Sequence, residues 1–475
     1  MKAAVALACL LLVAACSSTQ QPPSAPAPES ARELSTKVTA DGMYGHLQKL
    51  ADIAAANGNS RADGTPGFDA SVDYVAGVLR DKGFDVQTPE FDRLVMSAPG
   101  KPTLVVSGRS VPVDQASLLV TTPPGGLSAL TLRPNRPSGC VAGDYGSVDA
   151  RGAIAVVDDQ GCSVVDKQNA AVAKGAVGVL VVSGGSRAGL FTPGYYQQLT
   201  SPMAVIDEDT DAMLRRTSAP VRLTLDAKSA VVKSRSVVAQ TKTGDPHNVV
   251  VAGAHLDSAA SSPGLNDDGS GVAAVLETAV QLGSSPTITN AVRFAFWGAQ
   301  EAGLQGSTKY VASLGPDGLD DLALYLDFDL LGSVNAGYFT YDGDQSGQPN
   351  PDVPAAKVPA GSAGVERTLA GYLNLAGVRP ADMPLGLASD YSAFLRAGIP
   401  IGGITTGSTQ RKTATQARLW GGRAGVPFDP NFQTPADTIA NVDRATLAIT
   451  GPAVAFAVGT YAQSTQGPNG VPARG

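Results

Sequence analysis

From Ser236 onward the chain alternates apolar runs of strand length, polar stops and helical stretches, without an internal repeat. His247 to Ala254 reads as a buried strand, Val272 to Leu282 as a helix, and Ala291 to Trp297 and Leu322 to Phe328 as further strands. Strands this apolar must be covered on both faces, so the fold class is α/β, a mostly parallel sheet flanked by helices. In such sheets functional groups collect where strands end and loops begin. The polar stops are therefore where chemistry should be sought.

Ahead of this region, two blocks with helical spacing, Leu47-Leu50-Ile53-Ala54 and Val72-Val75-Ala76-Leu79, flank the polar stretch Asn57 to Gly67. Gly83 then ends the second helix and an extended segment begins. Over 101–235 the texture changes to short β-branched runs with Gly and Pro punctuation, which reads as a smaller β-rich insert. Its middle runs through Ile154-Ala155-Val156-Val157, Gly161-Cys162, an Ala-rich helix and Val179 to Val182. That order resembles the protease-associated (PA) domain, and Met203-Ala204-Val205-Ile206 fits a later strand of it. The expected organisation is a signal peptide at 1–15, a flexible tether at 16–40, a first part of the main domain at 41–100, the insert at 101–235, a second part at 236–465 and a tail at 466–475.

The N-terminal expectation rests on Lys2, the apolar run Ala3 to Ala14, and the small residues before Cys16. The run is too short to span a bilayer, and a cysteine after small residues resembles the bacterial lipobox, whose Cys becomes the lipidated first residue. A plain secretory signal cut near Ala15 is the alternative. The chain is thus expected to be exported and anchored to the cell membrane through lipid alone, on the extracytoplasmic face. Of four cysteines, Cys9 lies in the signal and Cys16 in the lipobox, which leaves Cys140 and Cys162. Outside the cytosol they suggest one disulfide, with two buried thiols as the alternative. A formal charge of -7 without any Lys/Arg run argues against nucleic acid as a partner.

The strand-end groups are His255-Leu256-Asp257, Asn266-Asp267-Asp268-Gly269 before a helix, Gln300-Glu301 after Phe296-Trp297, and Asp327-Phe328-Asp329. An imidazole among several carboxylates is the donor set of a hydrolytic zinc site, and one shared carboxylate can bridge two ions. Their order, with Asn59 to Gly67 and Pro435-Ala436-Asp437-Thr438, resembles the co-catalytic zinc aminopeptidases of peptidase family 28. The resemblance implies that His255, Asp267 and Asp329 hold one metal ion. It also implies that Asp267 bridges toward a second ion beside Glu301, and that Asp257 orients His255. Peptides or protein N-termini are the partners it implies.

Three positions depart from the family pattern at the chemistry itself. The family's general base is a glutamate where this chain has Gln300, and a neutral amide cannot accept a proton from water at neutral pH. The family's last ligand is a histidine in a Tyr-His-Thr-Pro stretch, which reads Phe432-Gln433-Thr434-Pro435 here. Phe432 also lacks the phenol that would help hold an oxyanion. The chain has only two other histidines, His46 and His247, both expected to be structural or incidental. The expectation is therefore one zinc ion rather than two, with calcium or magnesium as possible occupants. The leading function is a pseudo-peptidase or weak hydrolase that binds peptide N-termini; an active aminopeptidase and a non-catalytic scaffold are the alternatives.

Overall fold

The computed structural model describes residues 28–98, 101–183, 198–225, 228–348, 350 and 353–472. The expected signal peptide, the lipobox Cys16 and residues 17–27 of the tether lie outside them. The chain divides into two compact units, Asp92–Lys233 and the remainder.

The larger unit is built on an eight-stranded sheet. In chain order its strands are β1 (Asp85–Gln87), β2 (Val237–Gln240), β3 (Asp245–His255), β4 (Asn290–Trp297), β5 (Leu322–Phe328), β6 (Phe339–Tyr341), β7 (Ala381–Met383) and β8 (Ile401–Thr405). Across the sheet they run β1-β2-β4-β3-β5-β8-β6-β7. The four central strands, β4, β3, β5 and β8, are mutually parallel, as the apolar runs required, while antiparallel pairings flank them. Consequently His255, Trp297, Phe328 and Thr405 all close their strands at one carboxyl edge.

Helices cover this sheet because their sequences bury well. Gly269–Leu282 starts under the side chain of Asp268, which accepts from the Gly271 N–H, and its first eleven residues are all buried. Arg444–Gln463 is long and apolar enough to cross a membrane by length and composition, yet it lies in the core, with Ala453 to Ala455 fully buried. The helices Ala40–Ala56 and Pro66–Asp81 are each capped by a threonine, Thr39 and Thr65.

Both ends of the larger unit are more ordered than the sequence implied. The tether expected to reach residue 40 gives way at Glu29 to a helix, Glu29–Lys37, whose Ala31, Leu34 and Ser35 are buried. Ala31 lies against Gly459 of the long C-terminal helix, where any Cβ would collide with it, so the two helices pack closely. The expected tail at 466–475 likewise docks: Val471 is in the core, and Arg367 donates to Asn469 Oδ1 at 3.2 Å.

The smaller unit holds a five-stranded, largely parallel sheet centred on Ile154–Asp158, Gly178–Val182 and Met203–Ile206, and a four-stranded antiparallel sheet. Its longer described helix, Val164–Ala173, begins with a reciprocal Ser163/Asp166 capping box. Cys140 and Cys162 are disulfide-bonded. Buried Lys167 secures the same loops, donating to the carbonyls of Ser138 at 2.8 Å and Gln160 at 2.6 Å. Replacing both cysteines by serine should lower the stability of this unit by about 2–4 kcal/mol through the regained freedom of the unfolded chain. Urea unfolding with and without the bond would measure it, and coincident curves would contradict it.

Candidate metal centre

The carboxyl edge of the sheet brings four of the predicted ligands together. His255 ends β3 and is almost wholly buried. Its Nε2 lies 3.2 Å from Asp267 Oδ1 and 3.8 Å from Asp329 Oδ1. Glu301 follows the β4 end, and its Oε2 accepts from Gln433 Nε2 at 2.7 Å. Three buried carboxylate oxygens at this place, Asp267 Oδ2, Glu301 Oε1 and Asp329 Oδ1, have no hydrogen-bond partner. Buried oxygens without donors are costly, and three on converging acidic side chains fit a divalent cation.

One atom each from His255, Asp268 and Asp329 also lies within 4.8 Å of the other two. Asp268 is nevertheless the poorer ligand. Its Oδ1 accepts from the N–H groups of Gly271 and Leu330 at 2.9 and 3.2 Å, and its Oδ2 from that of His255 at 3.1 Å. Asp268 thus ties the helix start to two strand ends, while Asp267 presents the open oxygen.

The electrostatics follow from crowding negative charge out of water. Burial, then repulsion from Asp267, pushes Glu301 up to about 7. Burial raises Asp329 well above the usual carboxylate range. For His255 burial opposes the charged ring, but the carboxylates of Asp257, Asp267, Asp329 and Asp268 outweigh it and raise its pKa well above the ordinary value. A cation would take over that compensating role.

Asp257 works differently from the expectation. The His255 Nδ1 contact is with the Asp257 main-chain carbonyl at 2.9 Å, whereas the carboxylate stands 3.8 Å away. That carboxylate instead accepts from the N–H groups of Gln300 and Glu301 at 3.0 and 3.1 Å. It fixes the turn that carries both side chains, while the main-chain carbonyl of the same residue holds the His255 ring on which an ion would rest. Asp257→Asn puts an amide N–H₂ against one of those donors and should weaken zinc binding about 10–100-fold. A chelator-competition titration measures this, and an unchanged affinity would exclude the role.

Gln433 sits on an exposed turn in the left-handed region, φ 54°, with half-buried Phe432 before it. Its amide donates to Glu301 rather than presenting an oxygen toward the open carboxylates. Asp327 and the Ser389-Asp390-Tyr391 loop form one structural lock. Asp327 Oδ2 accepts from the Ser389 hydroxyl and the Tyr391 N–H, its Oδ1 accepts from Tyr325 at 2.8 Å, and Asp390 accepts from Ser307. Burial, then the charge of Asp327, pushes Asp390 up to about 8.

Two residues whose roles sequence reasoning missed hold the centre from behind. Arg61 is completely buried and donates to the carbonyls of Leu256, Pro263 and Gly264. Burial lowers it to about 10, against the pull of Asp437, Asp257, Asp268 and Asp267. Asp437 accepts from the N–H groups of Asn266 at 2.8 Å and Asp267 at 3.0 Å, pinning the turn that aims Asp267. Their only sequence signal was membership of segments that resemble the family. The other histidines stand apart: His46 bonds Tyr74 and Glu277, and exposed His247 pairs with Asp321.

Residues 236–458 match the model of peptidase family M28, and 127–213 that of the PA domain. A probable lipoprotein aminopeptidase, LpqL, of Mycobacterium tuberculosis is 47% identical, with 99% of this chain and 95% of the relative aligned. The chain belongs to peptidase family M28. An aminopeptidase of Pseudomonas aeruginosa is 36% identical over 90% of this M28 chain and 82% of its own length. Among solved structures, the aminopeptidase from Aneurinibacillus sp. strain AM-1 superposes with a TM-score of 0.55 at 23% identity, covering 91% of this chain and 96% of that one. BSAP, a zinc aminopeptidase from Bacillus subtilis, gives 0.51 at 23%, covering 90% and 96%. At those identities the likeness speaks for the M28 fold alone.

Proposed function

We propose that this M28 chain is an exported lipoprotein, anchored through Cys16, whose metal centre receives the N-termini of peptides but is impaired in cutting them. The observation that carries the impairment is the Gln433–Glu301 hydrogen bond of 2.7 Å. An amide donor there neutralises one oxygen that a second ion would need, and its own carbonyl must point elsewhere. His255, Asp267 and Asp329 would hold one ion. When bound, a zinc ion at that place polarises a carbonyl oxygen and acidifies water. Gln300 stands where the proton acceptor belongs and has no basic lone pair to offer at neutral pH. The turn carrying it is held by Asp257 through the Gln300 N–H, so the backbone is in place while the side chain lacks the function.

The relative named a probable lipoprotein aminopeptidase supports the anchor and the peptide substrate class, and it keeps an active aminopeptidase as the second reading. Zinc is the ion favoured by an imidazole among carboxylates; calcium or magnesium would suit the carboxylates without engaging the ring. Native mass spectrometry of zinc-saturated protein should show one ion per chain, lost in Asp267→Asn. Two tightly held ions would revive the enzyme reading, and none would leave a scaffold.

A further inference from the structure

Away from the metal centre, the larger unit has a cavity of about 640 Å³ where the helices Glu29–Lys37, Gly361–Leu375 and Arg444–Gln463 meet the C-terminal segment. Its wall combines two guanidinium groups, Arg32 and Arg367, with the apolar surfaces of Tyr372, Leu375 and Phe456. Among the described residues no carboxylate lines it, although the whole chain carries a formal charge of -7. Among the described residues neither arginine is in an ion pair. Arg32 is exposed on its helix, and Arg367 spends its donors on the neutral Asn469 Oδ1 and Pro468 carbonyl. Leu375 is 81% exposed, more than any other large apolar residue among those described. Within the same wall Thr460 Oγ1 is buried without a hydrogen-bond partner.

An unbalanced pair of cations, a bare leucine beside aromatic surface and an unsatisfied hydroxyl together describe a receptor for an anionic amphiphile. The position of the cavity says which one. Pro28 forms part of its rim, and Cys16 lies 28 − 16 = 12 residues earlier in the chain. Twelve residues reach at most about 40 Å when fully extended. A chain lipidated at Cys16 would therefore keep this cavity within that distance of the bilayer.

We propose that the cavity binds an anionic phospholipid of the anchoring membrane. The phosphate pairs with Arg32 and Arg367, a headgroup or ester oxygen meets Thr460, and the upper acyl chain lies along Leu375 and Phe456. This goes beyond the peptidase reading. It draws on the anchored reading only for the source of the lipid, so the test uses protein beginning at Ser17, in which no acyl group contributes and failure of one reading leaves the other standing.

Vesicle flotation supplies the measurement, with phosphatidylcholine vesicles compared with vesicles that also carry phosphatidylglycerol. Binding to the anionic vesicles alone is expected. It should weaken about fivefold in Arg32→Gln, the loss of one basic contact at a charged surface, and at least as much in Leu375→Asp. Both residues are exposed, so the variants should keep the parent's melting temperature. Equal binding to neutral vesicles, or variants that float like the parent, would overturn the proposal. So would a concentration-dependent dimer in sedimentation that Leu375→Asp abolishes, because a second copy would then be what covers the leucine.

Discussion

Restoring both lost groups, Gln300→Glu with Gln433→His, should raise the kcat/KM for aminoacyl-4-nitroanilides by about 10²–10⁴-fold over the parent in the presence of zinc. The backbone is already in place for this gain. Asp257 holds the N–H groups of residues 300 and 301, so a carboxylate at 300 would emerge from the same anchored turn as the present amide. The histidine has a separate effect. It removes the donor that now occupies Glu301 Oε2 and offers a ring nitrogen, and the metal count should rise from one to two. The single variants separate the two contributions: Gln433→His should gain an ion with little turnover, and Gln300→Glu should gain turnover on one ion. A parent as fast as the double variant would defeat the impaired-enzyme reading. A folded, two-ion double variant without activity would show that something other than these two amides limits catalysis.

Removing the buried guanidinium should have the largest effect on folding: Arg61→Met is expected to cost about 3–5 kcal/mol. Three carbonyls, those of Leu256, Pro263 and Gly264, would lose their donor in a site that water does not reach. The nearby carboxylates of Asp437, Asp257, Asp268 and Asp267 would lose a permanently charged interior partner. Lysine should not rescue, because a single ammonium cannot present the planar fork to three carbonyls. Urea denaturation gives the difference directly, and a midpoint equal to the parent's would refute this account.

What could be read in the residues beforehand divides along physical lines. The gathering of His255, Asp267 and Asp329 was legible because an apolar run that stops at a polar residue signals both burial and a strand's carboxyl end. The backbone partners of Arg61 were not, since three carbonyls nearly 200 residues onward leave no trace in side-chain pattern. Asp257 is the intermediate case: its proximity to His255 was readable, but its real partners are two N–H groups contributed by β4's following turn. The helix Glu29–Lys37 escaped notice for another reason. Only Ala31, Leu34 and Ser35 face inward, and its stability comes from close packing on the C-terminal helix rather than from its own composition.

Asp437 has a consequence for how the molecule is made. The turn at Asp267 is clasped by a side chain that follows it by 170 residues, so synthesis from the N-terminus delivers the imidazole and the acids long before their clasp. Until then the nascent acids repel one another across a turn with nothing to close it. The centre should consequently be among the last places to mature, and a chain cut short ahead of residue 437 would keep every residue proposed to hold the ion while losing the grip that aims Asp267.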